Sequence, residues 1–272
     1  MTRITAVIPS WNGLHLLADC IPPLLDDGRR LDLRVIVVDD GSSDGTVDSG
    51  PGLFPGVRFV PNAGPRGFCH SVNTGAAVAD DGLLLLLNND VIVPPDSIQG
   101  IADALESSPD HVLAVMPRIM RGGEDESLLG CGFRLGLAMT LSGSGTAYPS
   151  GACSMFRTGQ WRALGGLDTR YAPMYWEDVD LGLRASAAGM EVRRAEGFRV
   201  LHRHAASAGH GTAMRRMRER NRFILMDAHF RSRRIETAAF LPFHAASSLA
   251  RGRTEFVAGW LDYLKWRRNR AR

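Results

Sequence analysis

Four short polar clusters stand where apolar runs end: Pro9-Ser10-Trp11-Asn12, Asp39-Asp40, Asn88-Asn89-Asp90 and Trp176-Glu177-Asp178-Val179-Asp180. Each alone has a structural explanation. Aspartate after a strand forms turns, and acids open helices because the helix dipole favours them there. Taken together they match the needs of a nucleoside diphosphate. A carboxylate or amide reads the base or ribose, and a cation separates the phosphates from acidic neighbours. Mg²⁺ and Mn²⁺ bind hard oxygens, commonly one or two carboxylates plus phosphate. Asp90 is the candidate carboxylate for that ion, and a second unpaired acid in the crevice is a candidate general base. A nicotinamide-binding turn is excluded, because Ile8–Gly13 lacks the G-x-G-x-x-G pattern. Cys20, Cys69, Cys131 and Cys153 form no CxxC pair and read as small hydrophobes.

The elements that position these clusters read as an α/β fold. Ile4–Ile8 and Leu33–Val38 are buried strands, Val57–Val60 is a third, and the five leucines Leu83–Leu87 form a central strand buried on both faces. Helical spacing follows Asn12-Gly13, with Pro22-Pro23 expected to shorten or kink that helix. A stub of helix follows Gly45, and longer ones cover the stretch up to Ala79 and Pro95–Ser107. Strands and helices alternating this way predict a largely parallel sheet whose strand-end loops line the ligand crevice. Val112–Met116 is a fifth strand; Arg118–Ser150, punctuated by glycines, reads as a long functional loop. Arg157–Leu164 and Glu177–Ala188 read as helices, Val192 and Phe198–Leu201 as strands. Beyond Gly211 the chain is helical, over Met214–His229, Glu236–Leu249 and Arg253–Arg268.

At 272 residues, 44% hydrophobic and 22% charged, the chain is long enough for a full core and is not globally disordered. No apolar run reaches the ~18–20 residues of a membrane span. The opening residues carry no apolar segment with a cleavage site, so a cytoplasmic location is expected. The net charge of +3 conceals a division. Residues 1–212 hold 17 basic and 24 acidic side chains, whereas residues 213–272 hold 15 and 5. An acidic domain over 1–212 with a basic helical extension over 213–272 is expected.

The ordered series Ile8-Pro9-Ser10-Trp11-Asn12, Val38-Asp39-Asp40-Gly41-Ser42, Asn62…Gly67-Phe68…Asn73-Thr74-Gly75, Leu87-Asn88-Asn89-Asp90, Gly151-Ala152, Gly165-Gly166-Leu167-Asp168 and Glu177-Asp178-Val179-Asp180-Leu181 resembles the family 2 inverting glycosyltransferases of GT-A fold. Within them it is most similar to bacterial rhamnosyltransferase-like members, over about residues 3–210. The resemblance implies a mostly parallel nucleotide-binding sheet flanked by helices, a nucleotide-sugar donor (dTDP-rhamnose or a UDP-hexose) and a divalent metal. It also implies a glycan or lipid-linked acceptor in bacterial surface polysaccharide or glycolipid synthesis. Pro9, Trp11 and Asp40 are then expected at the nucleotide, with Asn62, Gly67, Asn73 and Asn89 at the donor. Gly151 lets backbone approach the donor sugar. Asp90 is the implied metal ligand. Asn88 departs from the family's Asp-any-Asp motif, and a single carboxylate attracts the ion less than two. His202 is implied as a metal or diphosphate contact, with His204 the alternative. Asp178 is the implied general base, Glu177 a positioning acid or plain helix-start acid, and Trp176 an acceptor platform or core aromatic. A catalytically silent nucleotide-sugar-binding protein is the alternative.

In the tail, eight arginines between Arg215 and Arg234 interleave with Phe223, Ile224, Met226 and Phe230, and a second stretch runs Trp260 to Arg272. Apolar residues on one face with arginine on the other suit an interfacial helix at an anionic membrane. This predicts peripheral attachment at the inner face of the cell membrane; a solvated face or homo-oligomer contact is the alternative. No zinc, helix-turn-helix or RNA-binding signature supports nucleic acid.

Overall fold

The structure is a computed structural model that describes residues 2–28, 31–203 and 211–270. β1 (Ile4–Ser10), buried throughout, pairs in parallel with β2 (Leu33–Asp39), and β2 with β3 (Arg58–Pro61). Helices α1 (Leu14–Gly28), α2 (Thr46–Leu53) and α3 (Phe68–Ala77) make the crossovers. β4 (Leu83–Leu87) joins the other side of β1, also in parallel. Its leucines alternate between two cores: Leu84 and Leu86 face one, and Leu83, Leu85 and Leu87 face the other. A strand side chain points to each face in turn, so an unbroken leucine run needs apolar layers on both faces.

Past β4 the sheet turns mixed. β5 (Val91–Ile92) leads to α4 (Ser97–Glu106) and β6 (Val112–Arg121), which β7 (Glu124–Asp125) pairs at its end. β11 (Cys153–Arg157) inserts antiparallel between β4 and β6, and β12 (Glu191–His202) runs parallel to β6 and antiparallel to β5. The order is β3-β2-β1-β4-β11-β6-β12-β5. Between β7 and β11 lies a three-stranded antiparallel sheet of β8 (Leu129–Arg134), β9 (Leu137–Ser142) and β10 (Thr146–Ala147). Then come α5 (Thr158–Ala163), α6 (Glu177–Ala187), α7 (Thr212–His229), α8 (Arg234–Ala250) and α9 (Glu255–Arg270).

Three expectations are corrected. The stretch 118–150 is not a loop. Two of its glycines serve backbone contact, since a Cβ at Gly130 would lie 2.3 Å from the Ser144 carbonyl oxygen and one at Gly145 2.4 Å from that of Cys131. Pro22-Pro23 does not end α1, whose buried face of Leu17, Cys20, Ile21 and Leu24 holds it to Gly28. The apolar residues of α7 form no exposed face: Phe223, Ile224, Leu225 and Met226 lie in the core beside α6 and the 167–176 segment, and Phe223 packs on Phe256 and Tyr263 of α9. All four cysteines are buried, as expected.

Candidate active site

The carboxyl ends of β1 and β2 are stapled together. Ser10 pairs with Asp39, and the Asp40 N–H donates to the Ser10 carbonyl at 2.8 Å. Asn12, at φ 49°, accepts from the Ser43 N–H on Oδ1 at 2.8 Å and donates its own N–H to Ser42 Oγ at 2.8 Å. Asp39 forms the turn: its Oδ2 accepts from the N–H groups of Gly41 and Ser42, each at 3.1 Å. Its Oδ1 is buried with no hydrogen-bond partner among the described residues. Asp40 holds the next loop. Oδ1 accepts from Asn62 Nδ2 (2.9 Å) and the Arg66 N–H (3.0 Å), and Oδ2 from the Gly67 N–H (2.7 Å). A carboxylate has about four lone-pair sites, so Asp40 keeps acceptor capacity. Pro9 is buried on β1. Trp11, just beyond it, is 48% exposed, an indole face free to stack on a flat ring.

Gly67 is the junction to the acidic cluster. Its φ is +92°, and a Cβ there would lie 2.4 Å from Pro173 Cα; the next N–H, of Phe68, donates to the Pro173 carbonyl at 2.7 Å. Asn62 also donates to Ser71 Oγ (2.9 Å) and accepts from Thr74 Oγ1 (3.1 Å). Asn73 clamps Leu167 at both backbone groups, donating from Nδ2 at 2.7 Å and accepting on Oδ1 at 3.0 Å. Its amide therefore braces the Gly166-Leu167 turn. Asn89 is buried and donates to Ser10 Oγ at 3.0 Å.

Asp90 and His202, 112 positions apart, come together because Val91 pairs with His202 across β5 and β12. His202 Nε2 lies 3.3 Å from Asp90 Oδ1, and Nδ1 lies 3.0 Å from Glu126 Oε2. Glu126 also pairs with Arg121 at 2.8 Å. Burial works against the imidazolium, but the bonds to Asp90 and Glu126 win and push His202 up to about 9. The imidazolium itself balances the two flanking carboxylates, and a divalent ion would take the place of its Nε2 proton. A carboxylate oxygen and an imidazole nitrogen converging at 3.3 Å fit two ligands of one Mn²⁺ or Mg²⁺. Glu126 would hold the ring's other nitrogen, the usual outer partner of a ligating histidine. Among the described residues no group of three His, Cys, Asp or Glu is arranged as a metal cage, so further ligands would come from diphosphate and water. His204 lies outside the described residues.

The acid pair opens α6. Trp176, at φ 76°, follows Tyr175 at φ 78°, two consecutive non-glycine residues in the left-handed region. Such residues each cost about 1–3 kcal/mol and persist only when the surroundings enforce them. Here α7 does so. Asn221, fully buried, points its amide at the carbonyls of Tyr171 (2.6 Å), Met174 (2.8 Å) and Tyr175 (3.1 Å), and Arg220 donates to that of Ala172 at 2.6 Å. Trp176 is a core residue, 6% exposed, whose indole N–H donates to the Arg218 carbonyl at 3.0 Å. The half-buried aromatic at the rim is Tyr175, with the Arg218 guanidinium 6.0 Å from its ring.

Burial pushes Glu177 well above the usual carboxylate range, and the charge of Asp178 adds to this. Glu177 Oε2 is buried with no hydrogen-bond partner among the described residues. Asp178 is also raised by burial, but the N–H groups of Val179 and Gly151 and the charge of Arg218 pull it back. Both acids are thus raised, and the hydrogen-bond donors and positive charge that oppose the shift lie on Asp178, so of the two Asp178 has the surroundings that favour the ionised form. Asp178 keeps partial exposure. Gly151 ties Asp178 to the strand end that bears Asp90, because the adjoining Ala152 carbonyl accepts from the Asn88 N–H at 2.9 Å. Sequence reasoning passed over Glu126, Arg218 and Asn221. Glu126 sits in an acidic run taken for loop, and Asn221 is one amide among arginines, so neither carries a local signal.

The glycosyl transferase family 2 model matches residues 5–159, and a glycosyl transferase family group 2 model matches 83–261. The chain is 30% identical over 216 residues to the N-acetylglucosaminyl-diphospho-decaprenol L-rhamnosyltransferase of Mycobacterium tuberculosis, covering 66% of this chain and 70% of that protein. Among solved structures it resembles GalNAc-T7 with UDP, GalNAc and Mn²⁺, with a TM-score of 0.66 and 15% identity over 84% of this chain and 48% of the other. The chain thus spans about half that protein's length. A mannosyltransferase from Pyrobaculum calidifontis in complex with GDP-Man and Mn²⁺ gives a TM-score of 0.57 and 18% identity over 97% and 87%. The fold is GT-A.

Proposed function

The chain belongs to glycosyl transferase family 2, and from that membership we propose that it is an inverting enzyme moving rhamnose or a hexose from a nucleotide diphosphate to an acceptor hydroxyl. The named substrate of the mycobacterial relative supports a lipid-diphosphate-linked sugar as acceptor, in bacterial surface polysaccharide or glycolipid assembly. The observation that carries the reading is Gly151-Ala152. Its backbone joins the strand end bearing Asp90 to the carboxylate of Asp178, so donor diphosphate and general base share one wall.

In this reading Trp11 stacks on the base, while Asp40 and Asn62 shape the ribose side. Asp90 and the deprotonated His202 would hold a divalent ion, which would offset the charge growing on the leaving diphosphate. Gly151 gives the sugar room. Asp178 takes the acceptor hydroxyl proton as that oxygen attacks the anomeric carbon, and Glu177 keeps its own proton and so leaves the negative charge on its neighbour. Tyr175, rather than the enclosed Trp176, offers the acceptor an aromatic face. Residues 1–212 act as the catalytic domain, and 213–272 as an extension whose first helix braces the 171–176 segment.

Asp178→Asn tests this. Transfer should fall about 10²–10⁴-fold, the usual range for a general base, with donor affinity kept, in assays with dTDP-rhamnose and UDP-hexoses with and without Mn²⁺. Unchanged turnover would remove Asp178 from the role, and the absence of transfer from every donor in wild type would favour a silent binding protein.

A further inference from the structure

Helix α8 carries apolar residues on its outer face. Over 17 residues none of its side chains is buried. The exposed positions recur at helical spacing and are apolar: Ile235, Ala239, Pro242, Phe243, Ala246 and Leu249. Ile235 is 86% exposed, Phe243 63% and Leu249 52%. The inner face carries Glu236 and His244 beside the partly buried Leu241 and Ala245. Glu236 Oε1 accepts from the Gly136 N–H at 3.3 Å, and His244 Nε2 bonds the Leu135 carbonyl at 2.7 Å. These bonds fasten α8 to the β8–β9 hairpin, whose tip residue Leu135 is itself 48% exposed. The stripe from Ile235 to Leu249 runs about 21 Å at 1.5 Å per residue, and Glu236, paired with Arg233, is the one formally charged residue between Arg234 and Arg251.

We propose that the outer face of α8 seats the protein on an anionic lipid bilayer, its apolar stripe entering the interface and its flanking arginines meeting the headgroups. Exposed Arg231, Arg233 and Arg234 stand at one end and exposed Arg251 and Arg253 at the other. Asp227 and Glu236 partly neutralise the first group, and the whole of residues 213–272 keeps an excess of ten positive charges. This charge selects the occupant. Two copies meeting through α8 bring arginine ends onto arginine ends whether the helices run parallel or antiparallel, which like charges disfavour. An anionic surface attracts both ends while the stripe is buried. No helix among the described residues is long and apolar enough to cross a membrane, so the helix lies on the surface. Access to a lipid-linked acceptor is the use this gives the enzyme, and that use rests on the proposed function.

The test is flotation of the full chain with phosphatidylcholine vesicles containing or lacking phosphatidylglycerol, without acceptor. Wild type should float only with the anionic vesicles. Ile235→Ser/Phe243→Ser/Leu249→Ser, all at exposed positions, should weaken binding at least about a hundredfold, and Arg251→Gln/Arg253→Gln should weaken it and flatten its salt dependence. Transfer to a water-soluble acceptor should be unchanged in both variants, which separates a failed membrane surface from a failed enzyme assignment. Wild type that stays unbound, or a triple-serine variant that floats like wild type, overturns the proposal. So does a concentration-dependent dimer in vesicle-free ultracentrifugation that the triple-serine variant abolishes.

Discussion

Replacing Gly67 by alanine should disable transfer without touching any reacting group. The new Cβ would lie 2.4 Å from Pro173 Cα and 2.6 Å from its carbonyl oxygen, where ordinary contact begins at 3.4 Å. One of the two segments must therefore give way by about 1 Å. The neighbour is backbone, and the same carbonyl holds the Phe68 N–H, so the 173–178 segment moves with the acid pair it carries. A displacement of about 1 Å at a reacting group can cost about 10²-fold in rate. The φ of +92° adds strain of about 1–3 kcal/mol. Gly64→Ala is the control: its φ is +87°, but nothing lies within 4 Å of the added carbon, so about 1 kcal/mol of backbone strain is expected with transfer nearly intact. Initial transfer rates and thermal melts of both variants give the comparison. If Gly67→Ala and Gly64→Ala lose rate equally, the junction with Pro173 does not position the acid pair and the reasoning fails.

Two further outcomes follow from the site. Glu126→Gln removes the charge behind His202, and Mn²⁺ affinity measured by calorimetry in the presence of nucleoside diphosphate should fall about 10-fold or more; unchanged affinity would mean that Glu126 plays no part in holding the ring. Glu177 favours folding in its protonated form, because its folded pKa is raised. That stability is complete below its unfolded value near 4.5 and is lost as pH rises through the raised value. Glu177→Gln, which stays neutral at every pH, should melt close to wild type at pH 5 and increasingly above it toward pH 9; a difference independent of pH would show that Glu177 does not titrate as described.

Much of the fold was legible in sequence because it rests on local pattern. β1 and β2 are short, mostly apolar and bounded by turn residues, and β4 is wholly apolar, the composition a strand buried on both faces requires. The acids after these strands could be placed at the crevice for the same reason. Where glycine serves packing between backbones, as at Gly130 and Gly145, composition read as a loop what the fold makes a sheet. β11 was missed because Cys153–Arg157 carries no alternation, being a central strand between β4 and β6. In the tail the apolar and basic pattern read as a surface helix over Arg215–Arg234 proved to be a helix packed on the core. The apolar side of α7 went into the core, which left α8 to carry the exposed stripe.

By itself, then, the sequence determined which residues could do chemistry and in what order they lie along an α/β chain, since strand periodicity and turn residues act over a few positions. Tertiary structure alone decided what each of them faces. It set His202 against Asp90 through the β5–β12 register, supplied Glu126 from a distant turn, and braced Tyr175 and Trp176 with Asn221 from the extension. It also set the surroundings of Glu177 and Asp178 apart, because burial and hydrogen-bond donors depend on neighbours that no local pattern specifies.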